Sequence, residues 1–143
     1  MLVRLLYASR AAGAVTHEMI ESILEQSRNH NPELGITGIL CYDGSDVFMQ
    51  ILEGGRDAVN RLYSDIVRDA RHRDVVLLHY SEVAERHFAN WTMAQVNLTK
   101  TNPSTLLKYS EKPVLDPYAV SGQASLALLE ELIATGQMVG RVG

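Results

Sequence analysis

Apolar and polar positions along the chain recur with a period of two in some stretches and of three to four in others, which predicts an order of elements. Leu2 to Ala8 alternates Val3, Leu5 and Tyr7 with Leu2, Leu6 and Ala8, so both faces are mainly apolar and the stretch reads as a strand covered on both sides. A small-residue loop, Ser9 to Val15, leads to Thr16, a good cap for a helix that carries Met19, Ile20, Ile23 and Leu24 as its buried stripe and runs to about His30. Asn31-Pro32 is expected to stop that helix, because proline disfavours the helical conformation in its predecessor. Ile36 to Tyr42 and Val47 to Glu53 then read as two strands joined at an Asp43-Gly44 turn. Helical spacing returns at Val59, Leu62, Tyr63, Ile66 and Val67, predicting a helix from about Asp57 to Ala70. Val75 to Val83 and Met93 to Val96 follow as strands.

The resulting order, βαββαββ, predicts an α+β fold of ferredoxin-like type with an added strand, both helices on one face of an antiparallel or mixed sheet. Beyond Thr99, Asn102-Pro103, Pro113 and Asp116-Pro117 punctuate two expected helices, Ser104 to Tyr109 and Ser121 to Ala134. The sheet face opposite the first two helices carries Leu2, Leu6, Met49 and Ile51, so these C-terminal helices, a partner, or both should cover it. Residues 1–97 are therefore expected to form one domain and 98–143 a helical extension.

Composition narrows the function classes. The chain has 143 residues, 46% of them apolar, and a net charge of −4, which gives no electrostatic reason to expect nucleic acid or an anionic membrane. A single cysteine forbids an intrachain disulfide, and no stretch has the length of apolar sequence a spanning helix needs, so a cytoplasmic setting is expected. No P-loop, GxGxxG or nucleophile elbow is present, and the five histidines show no metal-ligand spacing.

Gln50 is the odd residue of the second hairpin strand. It shares a face with Phe48 and Leu52, and an amide in such a row must find partners or cost about 1–3 kcal/mol. Tyr7 shares the parity that faces the helices. Ile23, Ser27 and Asn31, four residues apart, would line one helix edge above them. Together with Ile66 these residues describe a slot between the two helices with hydroxyl and amide groups at one end, suited to a flat heteroaromatic ligand. The run Arg68 to Asp74 is a candidate edge for that ligand, although basic residues also complement a helix C-terminus.

These motifs resemble the BLUF domain, a blue-light sensor with a non-covalently bound flavin, in its short stand-alone form. The resemblance covers about Met1 to Val96 and rests on Leu5-Leu6-Tyr7-Ala8-Ser9, Asn31 with Gly35 to Leu40, Phe48 to Gly54, Asp69 with Arg71-His72, and Trp91-Thr92-Met93. It departs at Met49, where leucine is common. The resemblance implies FAD, with FMN or riboflavin as alternatives, and photochemical electron and proton transfer from Tyr7 that rearranges Gln50. It also implies Asn31 at the flavin's pyrimidine edge with His30 beside it, Asp69, Arg71 and His72 in the pocket, and Trp91 and Met93 as the mobile pair that relays the change. It further implies no enzymatic activity of the domain itself and signalling to a partner, a cyclic-dinucleotide phosphodiesterase or a response-regulator-like protein. The apolar excess of the Ser121 to Ala134 helix, Leu126, Leu128, Leu129, Leu132 and Ile133, predicts a homo-oligomer or a complex with that effector.

Two other readings stand beside it. An acylphosphatase-like hydrolase would bind an anion at Arg10 and place water with Asn31, but the Ser9 to Ala14 loop has a single glycine and only loosely suits a phosphate. A ligand-free dimeric interaction module would pack Tyr7 against Gln50.

Overall fold

The computed structural model describes residues 1–13, 16–90 and 92–135. Strand β1 (Leu2–Ala11), helix α1 (His17–Leu34), strands β2 (Thr37–Tyr42) and β3 (Val47–Gly55), helix α2 (Arg56–Arg68), and strands β4 (His72–Val83) and β5 (Ala94–Asn97) follow in the expected order. A single 3-10 turn, Leu98–Lys100, leads to α3 (Pro103–Leu107) and α4 (Gly122–Ala134). The five strands form one sheet in the order β4-β1-β3-β2-β5. β1 runs antiparallel to both β3 and β4, β2 antiparallel to β3, and β2 parallel to β5, so the sheet is mixed.

Both faces of the central strands β1, β3 and β2 are covered, while the edge strand β4 leaves Val76, Leu77 and Tyr80 exposed. Val3, Leu5, Tyr7, Phe48 and Leu52 pack with Ile20 and Leu24 of α1 and Val59 of α2. On the opposite face Leu6, Met49 and Ile51 pack with Leu106 of α3 and with Leu128, Leu129 and Leu132 of α4. The C-terminal helices thus take the second apolar face, as its extent required. Gly38 and Gly122 permit close approach: a Cβ at Gly38 would lie 2.0 Å from the Ile51 carbonyl oxygen, and one at Gly122 would lie within van der Waals overlap of the Leu78 carbonyl oxygen.

Two local expectations, the end of α1 and the start of β4, are corrected. Helix α1 does not stop at Asn31-Pro32 but continues through Pro32 to Leu34. Proline forfeits one helical hydrogen bond there, and the true end is Gly35, whose left-handed φ of 68° lets its N–H reach the Asn31 and Pro32 carbonyls while Ile36 N–H donates to Asn31 O at 2.9 Å. Asn31 therefore lies in the last turn of the helix. The β2–β3 connection spans residues 43–46, between the expected strand ends, and Asp43 Oδ1 accepts from Ser45 N–H at 3.1 Å within it. Strand β4 begins at His72, three residues before the expected Val75, because β1 extends to Ala11 and offers a partner to that residue.

Candidate functional site

Tyr7 and Gln50 are directly opposed on neighbouring antiparallel strands, so one ladder position brings them together. The Tyr7 hydroxyl donates to Gln50 Oε1 at 2.5 Å. Gln50 Nε2 donates to the Met93 sulfur at 3.4 Å, and both Gln50, 4% exposed, and Met93 are buried. Since a thioether only accepts, the amide has one strong contact on its oxygen and one weak contact on its nitrogen. Burial is the largest cause that pushes the Tyr7 phenol above its ordinary pKa, with the neighbouring Tyr63 and Asp69 adding to it. Tyr7 is thus a neutral donor across the physiological range.

A cavity of about 370 Å³ opens in front of this pair, between α1 and α2. Its floor is Tyr7, Phe48 and Gln50; α1 contributes Ile23, Ser27, His30 and Asn31; α2 and the turn after it contribute Ile66, Asp69, Arg71 and His72. These eleven residues, singled out in the sequence, meet here, whereas Arg68, Ala70, Arg73 and Asp74 of the candidate edge do not line the cavity. Met93 touches the amide from outside the cavity, and Trp91 lies outside the described residues. Five further lining residues, Met19, Gln26, Leu34, Leu62 and Asp65, were not singled out. Met19 and Leu62 were visible as apolar stripe residues, whereas Leu34 was hidden by the premature end assigned to the helix.

Three polar features shape the cavity. Asn31 is 3% exposed, and its Nδ2 has no hydrogen-bond partner among the described residues. His72 stacks on Phe48 with ring centroids 5.7 Å apart. Its Nε2 lies 2.5 Å from the Ile66 carbonyl and Nδ1 lies 2.5 Å from Ser9 Oγ; the carbonyl can only accept, so Nε2 carries the hydrogen, and in the neutral ring Ser9 donates to Nδ1. At the rim the Arg71 guanidinium clamps Asp69, with Nη2 at 2.6 Å from Oδ2 and Nε at 2.9 Å. That hydrogen bond is the main reason the Asp69 carboxyl sits below, and the Arg71 guanidinium above, its usual pKa.

The fold and the cavity define an α+β domain with a ligand-sized slot between two helices, its floor a buried tyrosine–glutamine pair. The family model for BLUF, sensors of blue-light using FAD, matches residues 2–94, and the chain belongs to that family. It is 38% identical over 93 residues to the photoactivated adenylate cyclase subunit beta of Euglena longa, a match that spans 64% of this chain and 11% of that protein. Among solved structures it is similar to BlsA in its photo-activated state, with a TM-score of 0.80 and 31% identity over 93% of this chain and 95% of that one. It is also similar to the BLUF protein BlrB in its dark state, with a TM-score of 0.76 and 34% identity over 94% of this chain and 96% of that one. The family is one of photosensors, which sets aside the hydrolase and ligand-free readings. Among the described residues no helix is long and apolar enough to cross a membrane.

Proposed function

We propose that FAD occupies the cavity between α1 and α2 and that the chain signals blue light through the hydrogen bonding of Gln50. The observation that carries this reading is the Gln50 amide, held at the cavity wall between the Tyr7 hydroxyl and the Met93 sulfur. The residues fit a flavin: the volume is in the range of small-molecule sites, the walls are mainly apolar, and the orphaned Asn31 Nδ2 calls for an acceptor such as a ring carbonyl. Asn31 would hold the pyrimidine edge, Ile23 and Ile66 the faces, and Asp69, Arg71, His72, Ser27 and His30 the surroundings. When bound, the flavin supplies absorption of blue light and one-electron chemistry, which ordinary side chains lack.

The chain's own part is to keep a proton and an amide poised. The Tyr7 proton lies on the 2.5 Å bond to Gln50 Oε1, so a proton leaving Tyr7 has that oxygen as its immediate acceptor. If the amide turns instead, Nε2 faces Tyr7 Oη, which can accept, while Oε1 faces a sulfur that has no hydrogen to give. Rotation would give up only the weak N–H···S bond to Met93, so little hydrogen bonding is lost on that side. Met93 directly precedes β5, which pairs with β2. Residues 1–97 would thus sense and 98–143 transmit, to a homo-oligomer and to a separate effector; the resemblance implies a cyclic-dinucleotide phosphodiesterase.

The visible spectrum before and after blue light tests the reading. The expected result is a yellow protein whose flavin band shifts slightly to the red in light and returns in the dark. A colourless protein that takes up no added FAD, FMN or riboflavin refutes it.

A further inference from the structure

The connection between β4 and β5, residues 84–93, begins on the opposite side of the sheet from the cavity. Glu53 lies on the sheet face that α3 and α4 cover, three residues after Gln50 on the same strand and 0% exposed. Both of its carboxylate oxygens accept hydrogen bonds. Oε2 accepts from Arg4 Nε at 2.9 Å and from His87 N–H at 3.1 Å, and Oε1 accepts from Phe88 N–H at 2.6 Å. Arg4 stands directly opposite Glu53 in the ladder, and its guanidinium lies 5.7 Å from the centre of the buried Phe88 ring. Arg86 adds a bond to Thr37 Oγ1 at 3.2 Å, and Thr37 is the neighbour of Glu53 on the other side. Three consecutive residues, Arg86, His87 and Phe88, are therefore gripped by one row of the sheet. The far end of the same connection, Met93, takes a weak N–H···S bond from Gln50 on the other face.

A buried ion pair is a poor choice if stability alone is wanted, since apolar residues of like volume serve as well or better. A carboxylate in that place does something they cannot: it binds two successive backbone N–H groups of a loop that would otherwise be held only by packing. His87, held this way through its backbone, reaches α4 through its side chain, with Nδ1 3.1 Å from Glu130 Oε1.

We infer that Glu53, paired with Arg4, is a positioning residue: it pins the His87–Phe88 start of the β4–β5 connection, and with it the His87–Glu130 contact to α4, in the register that lets a change at Gln50 be felt in α4. The inference rests on the sensing role proposed for Gln50, but its first consequence does not need light. With the Glu53 carboxylate in place, the amides of His87 and Phe88 are protected from hydrogen exchange.

The test compares the full chain with Glu53→Gln and, because that variant leaves Arg4 buried without its counter-charge and can fail to fold, with Arg4→Met/Glu53→Gln. Hydrogen exchange is followed by NMR in the dark and under blue light, with the flavin spectrum recorded on the same samples. In the dark, the His87 and Phe88 amides of a folded variant should exchange at least about tenfold faster, a loss on the order of 1.4 kcal/mol, while β1 and β3 amides stay protected. In light, the red shift should keep its wild-type size while the light-minus-dark difference in α4 falls severalfold. Unchanged dark protection of those two amides overturns the pin. So does a wild-type α4 difference in the variants, or its absence in the wild-type chain. A variant that binds flavin but loses the red shift also overturns it, by placing Glu53 in the photochemistry instead. A wild-type chain that shows no red shift at all counts against the sensing role, while the dark exchange result still decides the pin.

Discussion

Replacing Asn31 by leucine should move the stability of the flavin-free protein and its affinity for flavin in opposite directions. Asn31 is 3% exposed in the last turn of α1, and its Nδ2 has no partner among the described residues. A buried donor without an acceptor costs about 1–3 kcal/mol. Leucine has the same number of side-chain heavy atoms and a better helix propensity, so Asn31→Leu should leave the flavin-free protein as stable as before or more stable by up to about that amount. In the loaded protein the donor is proposed to meet a ring carbonyl, and the same range becomes lost binding energy, a roughly 5- to 150-fold weaker Kd. Flavin therefore raises the unfolding temperature less in the variant, because a ligand stabilises by an amount set by its concentration over Kd. The assay is thermal unfolding with and without a flavin series, with Kd from fluorescence quenching. A Kd within twofold of wild type refutes the assignment of Asn31 to the flavin edge. A flavin-free variant destabilised by several kcal/mol refutes the claim that its amide nitrogen is unpaired.

Other expectations follow from the same geometry. Tyr7→Phe and Gln50→Ala should each keep the yellow colour and lose the red-shifted state, since each removes one partner of the 2.5 Å bond; a normal photocycle in either, read by absorbance, contradicts the proposed switch. Gly38→Ala should destabilise by about 3 kcal/mol or more, because its Cβ would lie 2.0 Å from the Ile51 carbonyl oxygen, and urea unfolding at unchanged m-value would show it. The bond to Arg71 lowers the Asp69 pKa in the folded protein, so the stability it contributes is full above the ordinary carboxylate value of 3.8 and is lost as pH falls through the lowered one; a carboxyl-carbon NMR titration with its midpoint at or above 3.8 would refute the clamp.

Much of the fold was legible because periodicity records which faces are buried. The alternation around Tyr7 and around Gln50 already put both on the face that meets the first two helices, and strand pairing then had only to set the register. Asn31, Ile23 and Ser27 fell on one helix edge by spacing alone. Local rules misled where a tertiary contact outweighed them. Pro32 is carried inside α1, whose end is set by the left-handed Gly35, and β4 starts at His72 because β1 runs further than its apolar pattern.

The Glu53 pin was least legible. Its signal was present, a carboxylate in an apolar strand with the parity of Arg4 in another, but parity cannot say which strands are neighbours or what loop will cross them. Sequence by itself determined the order of elements, the two apolar sheet faces and part of the cavity lining, Tyr7, Ile23, Ser27, Asn31, Gln50 and Ile66, because these depend on spacing along one segment. Only the tertiary structure decided that Tyr7 opposes Gln50, that Met93 receives the amide's other end, and that Glu53 binds the His87 and Phe88 backbone. Those contacts join segments tens of residues apart, and their geometry is set by sheet register and loop path, which no local pattern encodes.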